Sequence, residues 1–364
     1  MSAQPDLLYS EEEEALRAAV RDLLTDRCDP AGVIARTESD APHDLGAWKA
    51  LADGMGLAGL LIPEDDGGQG ATHREAAVVL EELGRSVAPV PYLTSAVVAT
   101  EALLACGDRE LLGRLATGRA IGALAVPLHL APGVAFPAVR VEGGLLHGQL
   151  TGIADASCAD LLLVPGDDGG LYAVEADAAT VTPQVSLDLT RPLATVTLDA
   201  APGRRLGDAR PAVERALRAG AGLLASEQLG LAEWSLTETV RYLKDRKQFN
   251  RPVGGFQALK HRLAQLWLET VNLRATARNA ASALASATDA DTDTDIAVAV
   301  AQSYAAPAAV HAAEEALQLH AGIGMTWEHP VHLHLKRAKA DSLAYGTAGA
   351  HRARLAALVD LPSP

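Results

Sequence analysis

The chain is poor in cysteine, in aromatics and in positive charge. Its three cysteines, Cys28, Cys106 and Cys158, are odd in number and far apart. That excludes a disulfide framework and any CxxC metal or redox site, and leaves buried or inert thiols. Aromatic residues make up only 4% of the chain while alanine is abundant, which suits closely packed helices better than a sheet-rich protein. Lys and Arg number 31 against 46 Asp and Glu, a net charge of −15 with a pI near 5.1. A nucleic-acid ligand is thereby excluded, since its binders displace counterions with basic side chains. No basic amphipathic helix is present for an anionic membrane. No run approaches the eighteen or so uninterrupted apolar residues of a membrane span. The start, "MSAQPDLLYSEEEE", has neither the basic nor the apolar region of a signal peptide, so a cytoplasmic location is expected. GxGxxG, Walker and HExxH patterns are all missing.

What is present falls into three zones over 364 residues, 49% of them apolar. Residues 1–118 read as an N-terminal helical domain. Ser10 and Glu13 form an S-x-x-E capping box, and Leu16, Ala19, Val20, Leu23 and Leu24 follow at helical spacing. Further helices are expected over about Asp44–Met55, His73–Gly84, Ser95–Cys106 and Asp108–Leu115, with "GLLIPEDDGGQG", Gly59–Gly70, as a turn-rich break. Residues 119–205 change period: "AVRVEGGLLHGQLTG", "ADLLLVPG", "GGLYAVEAD" and "LATVTLDA" are short runs divided by Gly, Pro and Asp. They predict a small antiparallel sheet or barrel. Residues 206–364 are helical again, over about 210–244, 256–286, 295–319 and 331–358, and predict a four-helix bundle. The fold class is therefore α+β, mainly α. The order gives no βαβ alternation, which excludes a Rossmann domain. The aspartates of "SATDADTDTD", Ser286–Asp295, lack the central Gly and final Glu of a calcium loop, and a solvated linker with Asp295 capping the next helix is the expectation.

Two C-terminal segments carry chemistry. In "RYLKDRKQFNRPVGGFQALKHRLAQL" a helix ends, a Pro- and Gly-containing loop turns the chain and a helix restarts. Arg246, Gln248 and Phe249 stand at the turn, where an Arg can fork onto a phosphate and a Phe can cover an apolar ring. Spacing alone favours a plainer reading, in which the Arg satisfies helix-end carbonyls and the Phe plugs the bundle. In "LQLHAGIGMTWEHPVHLHLKRAKADSLAYGT" a helix ends at glycines that allow close approach to the backbone.

Together these segments resemble the acyl-CoA dehydrogenase family. Its R-x-Q-F loop reads "RKQF" here, its Q-x-x-G-G-x-G-x-T stretch reads "QLHAGIGMT", and its N-terminal P-E-x-x-G-G-x-G turn matches "PEDDGGQG". The helix–strand–helix order fits the family's three-domain plan along almost the whole chain. The resemblance implies an FAD enzyme that introduces an α,β double bond into an acyl-CoA, with an electron acceptor such as electron-transfer flavoprotein. It further implies that Arg246, Gln248, Phe249, Gln318 and Gly322 reach the pyrophosphate and adenosine end of a neighbouring subunit's flavin, and that Thr347 belongs to a pair serving the chain's own.

The departures from the family pattern are grouped. The Glu of the family's Y-E-G-T is Tyr345, and its alternative position on the first bundle helix falls near Gly220. Neither side chain is a carboxylate, and a phenol is a poor base at neutral pH. Glu227 lies two turns beyond Gly220 and is the remaining, weaker candidate base. The flavin-ring segment T-E-P-x-x-G-S-D is replaced by "LAVPLHLAPGVAFP", and Gly349 stands where the family often has Gln. Residues reaching toward a neighbour are present, while those for the chain's own flavin and substrate are mostly missing. That pattern is similar to the actinobacterial sterol-side-chain type and implies a base-lacking subunit of an α2β2 enzyme. A self-sufficient homo-oligomeric dehydrogenase with an atypical base, and a non-catalytic scaffold binding acyl-CoA or a partner, are the alternatives. No metal site is expected: Glu328, His329, His332 and His334 read as surface, interface or structural residues, with His332 and His334 two apart and so on different faces.

Overall fold

The computed structural model describes residues 7–287 and 292–361. Helix α1 (Glu11–Arg27) opens with the expected capping box, both hydrogen bonds formed. Its Glu13 also accepts from Arg74 at 2.7 Å, tying α1 to α4 (His73–Ser86). Between them run α2 (Pro30–Thr37), absent from the sequence reading and capped by Asp29, and α3 (Leu45–Lys49), continued by a wide turn over Ala50–Gly54. A second wide turn, Tyr92–Ala99, leads into α5 (Thr100–Cys106), and Asp108 caps α6 (Arg109–Ala116).

The strands form two four-stranded sheets rather than one antiparallel sheet. The first has the order β1 (Gly122–Leu124), β4 (Leu161–Pro165), β5 (Gly170–Glu175), β8 (Arg204–Asp208). The second has β2 (Arg140–Glu142), β3 (Leu145–Ala154), β7 (Leu193–Pro202) and β6 (Thr180–Gln184) in the order β2-β3-β7-β6. The expectation of a purely antiparallel domain is corrected at β1, which pairs parallel with β4. Alternation in short runs reports strands but not their partners, and here the β2–β3 hairpin supplies the crossover that a parallel pair requires.

The bundle is built on α7 (Ala209–Asp245), a 37-residue helix about 55 Å long at the usual rise. It packs on α4 through glycines: a Cβ on Gly84 would lie 2.1 Å from the Glu227 carbonyl oxygen, and one on Gly230 would lie 1.9 Å from that of Glu81. Only bare backbone allows this approach. A small hairpin, β9 (Lys247–Gln248) and β10 (Arg251–Pro252), turns the chain into α8 (Gln257–Ala285). Helix α9 (Thr292–His320) is apolar and long enough by composition to cross a membrane, but it lays a buried alanine face against α7 and α8. Asp295 lies inside this helix rather than capping it. Its carboxylate pairs with Arg354 at 2.7 Å, which draws it into the first turn. Much of the supposed calcium-like linker, 288–291, lies outside the described residues. The last expected helix, 331–358, is two: α10 (Val331–Asp341) and α11 (Ala348–Leu358). The break falls at Tyr345 and Gly346, whose φ angles are 50° and 101°. A left-handed tyrosine is strained, and apolar periodicity gives no sign of it.

Candidate functional site

The break between α10 and α11 turns Tyr345 inward. Its amide donates to the Leu128 carbonyl at 2.7 Å, and His351 Nε2 donates to its carbonyl at 2.9 Å. Thr347 caps α11 by accepting from the Ala350 amide at 3.2 Å. The phenol ring is buried and lies over Gly220: a Cβ on Gly220 would sit 3.1 Å from Tyr345 Cζ and 2.9 Å from Val98. The two positions where a base is expected by resemblance are thus in contact, one filling the space the other lacks. Around them, Thr94, Val98, Leu124, Val126, Leu128 and Ala154 leave a cavity of about 10 Å³. That is room for at most one water, whereas ligand pockets run to several hundred Å³. Burial pushes the Tyr345 phenol above its ordinary range, further from service as a base. A separate cleft of about 690 Å³, lined by Arg215, Arg218, Asp295 and Arg354 among others, does not reach Tyr345.

Glu227 does not share the Gly220 site. It is buried and gripped by Arg191 at 2.6 Å and Arg337 at 2.7 Å. Burial alone would raise its pKa, but the two guanidiniums overcome it and hold the carboxyl down at about 2. The candidate base is therefore a fixed counter-ion. Arg337 also holds Asp188 at 2.6 Å, and Arg191 holds Asp341 at 2.9 Å. Burial, then the Glu227 charge, drives Asp341 well above the carboxylate range, and its Oδ2 has no partner among the described residues. Two guanidiniums thus meet three carboxylates in one buried cluster. It joins the loop between β6 and β7 to α7 and α10, close behind Tyr345. Sequence reasoning missed this cluster. Its one visible sign is Arg337 four residues before Asp341, a helical pair.

The residues assigned by resemblance to a neighbour's flavin lie elsewhere, at the far end of α7. Gly220 and Arg246 are 26 residues apart, about 39 Å along the helix axis. No single dinucleotide is held by both places. Arg246, Gln248 and Phe249 are exposed, and Phe249 is 84% exposed with φ 51°, so the reading in which it plugs the bundle is excluded. Among the described residues its ring contact is with Phe256, edge-on at 6.0 Å between ring centres. Arg246 makes no side-chain hydrogen bond or ion pair among the described residues. It stands at the C-terminal end of α7 and its guanidinium is not used to satisfy carbonyls there. Gln318 is exposed on the last turn of α9, and a Cβ on Gly322 would meet nothing within 4 Å. Tyr242 joins the two segments by stacking on His320, ring centres 4.6 Å apart. An unengaged guanidinium and a bare aromatic ring on one turn suit a phosphate and an adenosine.

The histidine cluster read from sequence is dispersed. His332 stacks on Trp327 at the surface, His334 is buried against Trp234, and His329 turns instead toward His320, ring centres 4.6 Å apart.

Comparison with known proteins adds the following. Residues 10–119 match the acyl-CoA dehydrogenase N-terminal domain, and residues 210–359 match the acyl-CoA dehydrogenase C-terminal domain. The chain is 35% identical over 337 residues to acyl-CoA dehydrogenase IpdE2 of Mycolicibacterium smegmatis, covering 93% of this chain and 95% of that one. Among solved structures, the ChsE4-ChsE5 complex from Mycobacterium tuberculosis superposes with a TM-score of 0.87 at 28% identity, over 99% of this chain and 100% of the other. The Tcur3481-Tcur3483 steroid ACAD superposes with a TM-score of 0.82 at 30% identity, over 96% and 98%.

Proposed function

The chain belongs to the acyl-CoA dehydrogenase family, and from that premise we propose that it is the base-lacking subunit of a heteromeric enzyme that dehydrogenates an acyl-CoA. The observation that carries this reading is Tyr345 packed onto Gly220. Together they close the place where a base and an acyl chain would meet. A bound FAD would supply the acceptor for a hydride leaving the β-carbon of the thioester, with the electrons destined for an acceptor such as electron-transfer flavoprotein.

The residues of this chain fit one end of that cofactor and not the other. The 10 Å³ cavity beside Tyr345 admits neither a flavin ring nor a substrate. At the far end of the bundle, Arg246 would donate to a pyrophosphate oxygen, Phe249 would lie against adenosine, and Gln318 with the bare backbone at Gly322 would hold its polar edge. The flavin so held is the partner's, and so is the carboxylate that takes the α-proton. This chain's part is to bind and orient. The exposed Trp267, Leu268, Phe249, Ile323 and Met325 give it an unusual amount of apolar surface on α8, the hairpin and the turn after α9, which suits a subunit contact. Two similar structures have paired names, ChsE4-ChsE5 and Tcur3481-Tcur3483, and the second is a steroid ACAD. A steroid-type acyl-CoA is accordingly the proposed substrate class of the assembly.

The test is co-expression of this chain with homologous chains that retain a carboxylate at either position. Native mass should show a two-plus-two assembly that dehydrogenates a steroid acyl-CoA, inactivated by removing the partner's carboxylate. A homo-oligomer of this chain that turns over acyl-CoA alone overturns the proposal.

A further inference from the structure

At the same end of the bundle, three side chains from three elements converge. Glu238 is on the last turns of α7, His320 ends α9, and His329 lies in the connection to α10. One ligating atom from each lies within 4.8 Å of the other two. His320 is fully buried, and its Nδ1 donates to the Ala316 carbonyl at 2.7 Å. That bond fixes the tautomer. It leaves Nε2 with an unused lone pair, and among the described residues this buried nitrogen has no hydrogen-bond partner. A buried, unpaired acceptor costs free energy unless something electrophilic meets it. A backbone carbonyl on the opposite nitrogen is also the arrangement that orients histidine ligands in metal sites. Tyr242, one turn after Glu238, stacks on the same imidazole and holds its plane.

From this geometry we infer a binding site for one divalent transition-metal cation of the zinc class, with Glu238, His320 and His329 as its protein ligands. Two imidazoles and a carboxylate exclude magnesium and calcium, which take oxygen ligands, and suit zinc, cobalt or nickel. Three protein ligands leave a fourth position, open on the side where Glu238 and His329 are partly exposed. Arg241 forks onto both carboxylate oxygens of Glu238, and each oxygen keeps a second lone pair for a cation. The Val331 amide reaches His329 Nδ1 only at 3.3 Å. A bound cation would clamp the C-terminal ends of α7 and α9 to the connection into α10. The inference does not rest on the flavin reading.

The experiment uses the full chain stripped with a chelator and titrated with Co²⁺, followed by visible absorbance and calorimetry. One Co²⁺ per chain is expected, displaced by Zn²⁺. His320 is too buried for its replacement to be informative, so the variants are Glu238→Gln and His329→Gln, with folding checked by circular dichroism. Each should weaken binding at least about tenfold, and the pair should abolish it. His311→Gln should leave it unchanged; His311 sits in a surface cluster with Glu269 and Glu315. Absence of saturable binding, or equal binding by the folded double variant, or loss through His311 instead, overturns the site.

Discussion

The ring of Tyr345 occupies the space that a side chain on Gly220 would need, with Cζ 3.1 Å from the position of its Cβ. The two residues are 125 positions apart and form one plug. Their coupling is measurable. Gly220→Ala would ordinarily stabilise a helix by about 1 kcal/mol, but overpacking against Tyr345 and Val98 costs about 1–3 kcal/mol, so a net loss is expected. In a Tyr345→Ala background the ring is gone, and the same substitution should lose at least about 1 kcal/mol of its cost. Denaturant unfolding of the four proteins measures this. Equal costs in both backgrounds would show that the contact is not energetic.

Removing the Glu227 charge isolates the buried cluster. Glu227→Gln leaves Arg191 and Arg337 short of an anion and should cost about 3 kcal/mol or more, as breaking buried ion pairs does. If Glu227 were instead the base, the variant would remain stable and the assembled enzyme would lose its proton abstraction.

Acid acts on the same residue with a definite sign. The folded pKa of Glu227, about 2, lies below its ordinary value of 4.5. The unfolded chain therefore binds a proton that the folded chain refuses in that interval. The stability from this group is full above pH 4.5 and drains away as pH falls toward 2. Glu227→Gln should flatten the acid limb of a stability–pH curve. An unchanged limb would mean that the carboxylate is not held by the two arginines.

At the far end of α7 the expected effect is on assembly alone. Arg246→Glu and Phe249→Ala remove exposed groups, so unfolding free energies should stay within about 0.5 kcal/mol of the parent. The flavin recovered with the co-expressed complex should fall, most for the charge reversal. A large loss of stability, or full flavin retention in both variants, would remove these residues from the cofactor's surroundings.

Much of this architecture was legible in the sequence because it rests on local rules. Ser10 and Glu13 announce α1, and the long apolar periods announce α7, α8 and α9. What was not legible depends on partners distant in the chain. The parallel pairing of β1 with β4 is set by residues 39 positions apart, Gly122 and Leu161. The split between α10 and α11 turns on one left-handed tyrosine, held by the Leu128 carbonyl. Tyr345 and Gly220 could each be named as a lost base, but only three dimensions show one filling the other. The cluster of Asp188, Arg191, Glu227, Arg337 and Asp341 joins a β-domain loop to two helices, through ion pairs between residues far apart in the chain. His329 was grouped with its sequence neighbours, whereas the fold pairs it with His320 and Glu238 from other helices.

On the proposed reading, this chain completes a flavin site it cannot house alone. The most direct measurement is the ratio of FAD to this chain, by absorbance after denaturation, for the chain purified alone and for its complex with a carboxylate-bearing homologue. Essentially none is expected alone, and one FAD for each pair of unlike chains in the complex. About one FAD per chain on this protein alone, reduced on adding an acyl-CoA, would contradict it.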